Sequence, residues 1–127
     1  MMSLHTNFDQ QPYLNLETFR KNGNGVKTPV WFVKDNDTLY VRTVANSGKI
    51  KRIRNQQRVQ IAPCKVDGVL LGEWVEASAS LVNDPEIDHK VDRLLGKKYG
   101  LIKTLFGLAS SIQRRKSAII KIEVAEK

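Results

Sequence analysis

Cysteine occurs once in this chain, at Cys64, so no disulfide can close within it and no thiol pair can hold a metal. Histidine is almost as scarce: His5 and His89, with that one cysteine, offer no zinc-ligand spacing and no Cys/His nucleophile pair. Neither a metal centre nor a thiol catalyst is expected. No apolar run reaches the roughly 20 residues of a membrane span, and nothing resembles a signal peptide, so the expected location is cytoplasmic, without membrane contact. Acidic residues are absent from Arg42 to Lys65. That stretch holds seven basic side chains (Arg42, Lys49, Lys51, Arg52, Arg54, Arg58 and Lys65) in a chain whose formal charge is +8, which points to an anionic ligand or partner.

What the acid-free stretch does contain is a short basic helix, Asn46 to Asn55, that opens on Ser47 and Gly48. The first N–H groups of a helix have no internal acceptor, and the positive end of its dipole lies there, so phosphate can dock without further machinery. Lys49 adds a full charge. On a helical wheel Ile50 and Ile53 share one stripe, Lys49 sits at its edge, and Lys51 and Arg52 point away. The bland alternative is a solvated basic helix. Gly48-Lys49 lacks the earlier glycine and the following Ser or Thr of a P-loop, so nucleotide hydrolysis is not indicated.

Around this helix the pattern is mainly β. Met1 to Pro12 has no period and reads as a flexible arm. Tyr13 to Arg20 alternates and ends at Asn22-Gly23-Asn24-Gly25, which suits a hairpin. A second strand, Val26 to Lys34, is interrupted by Pro29; Thr38 to Val44 is the third and runs into the helix. Arg58 to Lys65 alternates again around Pro63, and Val75 to Val82 is a strand of small residues. Two prolines within strands of one sheet suggest a shared recess. Asp84 caps a helix begun by Pro85, with Ile87, Val91, Leu94 and Leu95 on one face. Gly96 or Gly100 should break it before a second helix, Leu101 to Ile112; Arg114-Arg115-Lys116 is a basic knot, and Lys116 to Val124 a final strand. With 127 residues and no linker, this is one domain, 1–127: a small antiparallel barrel of five or six strands with helical cover. Such a chain is small for a whole enzyme pocket, and a second copy could supply missing walls.

Several segments together resemble the pyridoxamine phosphate oxidase-like flavin-binding split barrels, and within them the small deazaflavin-dependent oxidoreductases. The carriers are Tyr13-Leu14 through Thr18-Phe19-Arg20-Lys21, Thr28-Pro29-Val30-Trp31-Phe32, Leu39-Tyr40-Val41-Arg42-Thr43, Ser47 to Asn55, Arg58-Val59 with Ala62-Pro63-Cys64, and Lys98-Tyr99-Gly100-Leu101. The resemblance implies a mainly β (α+β) fold: a six-stranded antiparallel split β-barrel with the basic helix after strand 3 and a C-terminal helical hairpin. It implies a homodimer with cofactor sites at the subunit interface. Ser47 and Lys49 would hold the cofactor phosphate, with Lys51 or Arg52 assisting; Thr28, Pro29, Val30 and Trp31 would lie along the ring; Arg42, Thr43, Ala62 and Pro63 would line the recess. The fuller Arg and Lys set of true pyridoxamine phosphate oxidases is missing, so vitamin B6 oxidation is not expected.

Two function classes follow. The first is an oxidoreductase that moves a hydride between FMN, or an 8-hydroxy-5-deazaflavin coenzyme, and a small organic substrate; the cofactor brings the chemistry, and no catalytic acid or base is assigned. The surplus of Lys51, Arg52, Arg54 and Arg114 to Lys116 suits the acidic tail of the deazaflavin. The second is a basic barrel binding nucleic acid through Arg42 to Lys65, with Trp31, Phe32 or Tyr40 stacking on bases. It ranks lower because those aromatics must also fill a core. Haem ranks last, since neither histidine falls near the recess.

Overall fold

Alternating side chains decide the strands of the computed structural model, which describes Phe8, residues 11–105 and residues 117–124, the side chains of 101–105 excepted. In β1 (Tyr13–Phe19), Leu14, Leu16 and Thr18 face one way and Tyr13, Asn15 and Glu17 the other. A hairpin with Gly23 at φ +92 returns the chain as β2 (Gly25–Val30). Two residues later it resumes as β3 (Val33–Asp35), turns through Asn36 at φ +56, and continues as β4 (Thr38–Val44). Then come α1 (Gly48–Asn55), β5 (Arg58–Cys64), β6 (Val75–Val82), α2 (Pro85–Leu105) and β7 (Ser117–Val124).

The seven strands make one sheet in the order β2-β1-β5-β6-β7-β4-β3, every pair antiparallel. Its two ends, β2 and β3, are one run of chain broken only at Trp31 and Phe32, so the sheet curls back on itself as a split barrel. The expected count of six strands is corrected to seven among the described residues for this reason. Val26 to Lys34 is not a single strand: its first part pairs with β1 and its last part with β4.

Leu14, Leu16, Leu39, Val41, Val59, Ile61, Ile120 and Ile122 fill the interior, and α1 seats Ile50 and Ile53 among them. Phe8 is buried there too, edge-on to Phe32 at 6.0 Å, so the stretch expected as an arm contributes a core residue. The outer face of β3, β4 and β7 is covered by α2, where Val91, Leu95 and Tyr99 meet Val33, Tyr40 and Ile119. Asp84 caps α2 as its sequence implies: its Oδ1 accepts from Glu86 N–H at 3.0 Å and its carbonyl from Asp88 N–H at 2.9 Å. The break expected at Gly96 or Gly100 is a kink at Tyr99. Residues 106–116, holding most of the expected second helix and the Arg114 to Lys116 knot, lie outside the described residues.

On the outer face of β1, β2 and β5 lies the β5–β6 connection. Leu71 N–H donates to Pro63 O at 2.8 Å, Asn15 Nδ2 to Gly68 O at 3.3 Å, and Gly68 turns at φ +91. Gly72 rests on the Pro63 ring, where an added Cβ would stand 2.8 Å from Pro63 Cγ. That ring is fixed in β5, so Gly72→Ala should cost at least about 1 kcal/mol, seen as a lower urea midpoint with unchanged slope. An unshifted midpoint would mean the connection lifts freely from the proline. Cys64 is fully buried, and burial, then Asp67, push its thiol pKa up, which fits a packing role.

Candidate functional site

Ser47, itself extended, follows the turn after β4, in which its N–H donates to Val44 O at 3.1 Å, and its own carbonyl accepts the first helical bond, from Lys51 N–H at 3.3 Å. Its hydroxyl makes no capping bond, and Ser47 Oγ is buried without a partner. The first turn of α1 carries no acidic residue. Free amides, an orphaned hydroxyl and the dipole therefore meet at one pole.

Cations gather round that pole. Lys49 is half-buried; burial first, and the Arg52 guanidinium second, hold its pKa below the ordinary lysine value. Arg52 does not point away as the helical wheel implied. Its Nε donates to Thr18 Oγ1 at 2.6 Å, Thr18 being wholly buried at the end of β1, and its Nη1 folds back over Gly48, where an added Cβ would lie 2.8 Å away. Burial and then Arg20 push the Arg52 pKa down. Like charges drawn together in this way, with no acidic partner for Lys49, Arg52 or Arg20 among the described residues, are a counter-charge short. Lys51 and Arg54 are exposed on the solvent side of the helix.

An open strand edge begins beside this pole. Val26 of β2 pairs with Thr18, the anchor of Arg52, and Thr28 lies two residues further on, about 7 Å along the strand. Thr28, Pro29, Val30 and Trp31, all half-buried, then lead away from the pole. On their other side the β3–β4 ladder stops at Val33↔Tyr40. Its register, had it continued, would set Trp31 opposite Arg42 and Pro29 opposite Val44. No pairing is made there, and Pro29 has no N–H to offer. The split thus runs between Thr28 to Trp31 on one side and the passage from β4 into α1 on the other.

The remaining sequence candidates fall nearby or elsewhere. Ala62 and Pro63 are buried across β1 from β2: Asn15 pairs with both Pro29 and Ala62, and Leu14 with both Val30 and Pro63. Asn15, only 5% exposed, leaves its Oδ1 without a partner. Thr43 is half-buried opposite Ala118. Arg42 is directed to α2, where it pairs with Asp88 and reaches Asp92 at 3.3 Å. The side chain of Trp31 stacks on Tyr99, centroids 4.2 Å apart and planes 6° from parallel. Asn15, Thr18, Arg20 and Tyr99 were not among the site residues expected from the sequence, although Thr18, Arg20 and Tyr99 lie in segments that carry the resemblance. Arg20 carried a further signal, a cation just past the end of a strand.

A split β-barrel of this kind has known relatives. The family model described as "Pyridoxamine 5'-phosphate oxidase" matches residues 4–126. The chain belongs to that family. Comparison with curated proteins finds no match. Among solved structures it is similar to the heme storage protein HutZ from Vibrio cholerae (TM-score 0.73, 15% identity, 98% of this chain and 89% of that one). It is similar to a FAD-binding protein from Mesorhizobium loti (TM-score 0.64, 12% identity, 96% and 85%). An "F420 Reductase" also matches (TM-score 0.63, 15% identity, 99% and 96%). At these identities the likeness establishes the fold of this pyridoxamine phosphate oxidase family member. Among the described residues no helix is long and apolar enough to cross a membrane.

Proposed function

We propose that the chain binds a flavin-type cofactor, FMN or an 8-hydroxy-5-deazaflavin, and acts as an oxidoreductase on a small organic substrate. The observation that carries this reading is the orphaned anion pole of Ser47, Gly48, Lys49 and Arg52 set at the end of an unpaired strand edge. The pole suits a phosphate, and the edge from Thr28 to Trp31 suits a flat ring lying along it. Family membership and the neighbours described as FAD-binding and as an F420 reductase support the same choice. When bound, the cofactor would supply hydride transfer. The protein's part is to neutralise the phosphate, fix the ring and limit water at the split. Arg20, Arg52, Lys51 and Arg54 exceed what one phosphate needs, which favours the deazaflavin with its longer anionic tail.

The reading includes a homodimer in which a second copy completes each cleft. Val66, Val69, Leu70 and Leu71 lie 40–65% exposed on the β5–β6 connection beside Pro63, an apolar strip that such a copy would cover. Sedimentation as a monomer would remove this part of the proposal.

The nucleic-acid alternative loses ground on the fate of its aromatics. Phe32 and Tyr40 are buried, at 1% and 6% exposure, and Trp31 is stacked on Tyr99. For haem, His89 is exposed on α2 and His5 lies outside the described residues. Side-by-side titration with FMN and the deazaflavin is the test, read by absorbance between roughly 370 and 450 nm. Saturable binding of one cofactor is expected. Binding of neither, with oligonucleotide binding that weakens steeply in salt, would sink the proposal in favour of the alternative.

A further inference from the structure

We propose that Tyr99 is a positioning residue for the cofactor cleft: its hydroxyl stands in for strand pairing between Phe32 and Pro12, and so fixes the Trp31–Phe32 joint at the rim of the split. The inference rests on the cofactor reading for its functional meaning, though not for its structural test.

The β1–β2 register, continued one step past Tyr13, sets Pro12 opposite Phe32. Proline has no N–H, so a ladder pair cannot close there. Tyr99 enters the gap from α2. Phe32 N–H donates to Tyr99 Oη at 3.1 Å, and Oη lies 2.7 Å from Pro12 O and 2.9 Å from Phe32 O. A hydroxyl carries one proton. Lys98 Nζ also donates to Phe32 O, at 2.9 Å, and Pro12 O is the nearer carbonyl to Oη, so the tyrosine proton is assigned to Pro12 O. Burial pushes the phenol pKa up, more than the Phe32 bond lowers it, so the hydroxyl keeps that proton under ordinary conditions.

This inserted bridge sets the direction of the neighbouring residue. Phe32 commits its N–H to the tyrosine hydroxyl, and Trp31 is the residue that joins this fixed point to the end of β2. The Trp31 indole is held on the other side of the same tyrosine by the 4.2 Å stack. The backbone of Phe32 and the side chain of Trp31 are therefore both held by one residue of α2, placed at the helix's kink. The Lys98-Tyr99-Gly100 stretch acquires a role in the cleft without touching the ligand.

Tyr99→Phe tests this, because it keeps the stack and removes only the hydroxyl. Amide hydrogen exchange on the cofactor-free protein should show Phe32 exchanging at least tenfold faster, over and above any change common to β6 and β7. Cofactor affinity should fall at least tenfold while the variant stays folded. Ile122→Val, a core change in β7 that leaves the Tyr99 bridge and the Ser47 pole intact, should bind as the parent does. Tyr99→Phe that binds within twofold of the parent, or exchanges at the parent's rate at Phe32, overturns the proposal. If the parent itself binds no flavin or deazaflavin, the cofactor reading fails, and the exchange result alone decides whether Tyr99 holds the joint.

Discussion

Ile53→Ala should lower the stability of the fold by about 2–5 kcal/mol, the usual cost of truncating a fully buried isoleucine. An eight-residue helix is too short to persist in water on its own propensity, so α1 exists because the barrel receives its apolar stripe. Ile50 and Ile53 are that stripe, at 0% and 1% exposure, seated among Leu14, Leu16, Val59 and Ile61. The loss should appear as a lower urea midpoint with an unchanged slope. It should also reach the ligand. Arg52 holds Thr18 only while α1 is seated, so cofactor binding by the folded fraction should weaken as well. A cost below about 1 kcal/mol would show that α1 is not anchored in the interior.

Ile50 and Ile53 were legible in the sequence, and so was most of the fold, because each element is set by its own residues. The alternation of β1, β4, β5 and β6 was read to within a residue, as were the Ser47 start of α1 and the Asp84-Pro85 start of α2. The break at Trp31–Phe32 was not legible. Val30, Trp31, Phe32 and Val33 all favour a strand, but Pro12 opposite Phe32 cannot close the ladder, and the group that meets Phe32 N–H is a hydroxyl 67 positions away in the chain. The fate of Arg52 was hidden for a different reason. A helical wheel fixes where a side chain leaves the backbone, whereas a long guanidinium stem can turn back, and here Thr18 and the bare Gly48 give it a place to do so. Arg42 shows the same gap between sequence and space: the resemblance implies a place in the recess, and Asp88 and Asp92 of α2 draw its charge outward.

Lys49→Met should weaken cofactor affinity by about 1.5–3 kcal/mol, the worth of a charge-assisted hydrogen bond, or roughly 10- to 150-fold in Kd. The sign of the pH dependence follows from the cofactor-free state. Burial and Arg52 hold the folded-state pKa of Lys49 below the unfolded value near 10.5. Between the two values the unfolded chain binds more protons, so stability rises with pH across that window, and below it the destabilising effect of the charge is fully present. Removing the ammonium should therefore stabilise the empty protein at neutral pH, by a few tenths to about 1 kcal/mol because a half-exposed charge is screened. An anion beside the ammonium does the reverse and raises its pKa. Affinity in the parent should then be full below the free-state pKa and decline as pH climbs through it, a decline the methionine variant lacks. A higher melting temperature without cofactor, joined to a larger Kd with it, is the expected pair of results. Equal titration curves for parent and variant would take Lys49 out of the site and leave the basic helix as a solvated face.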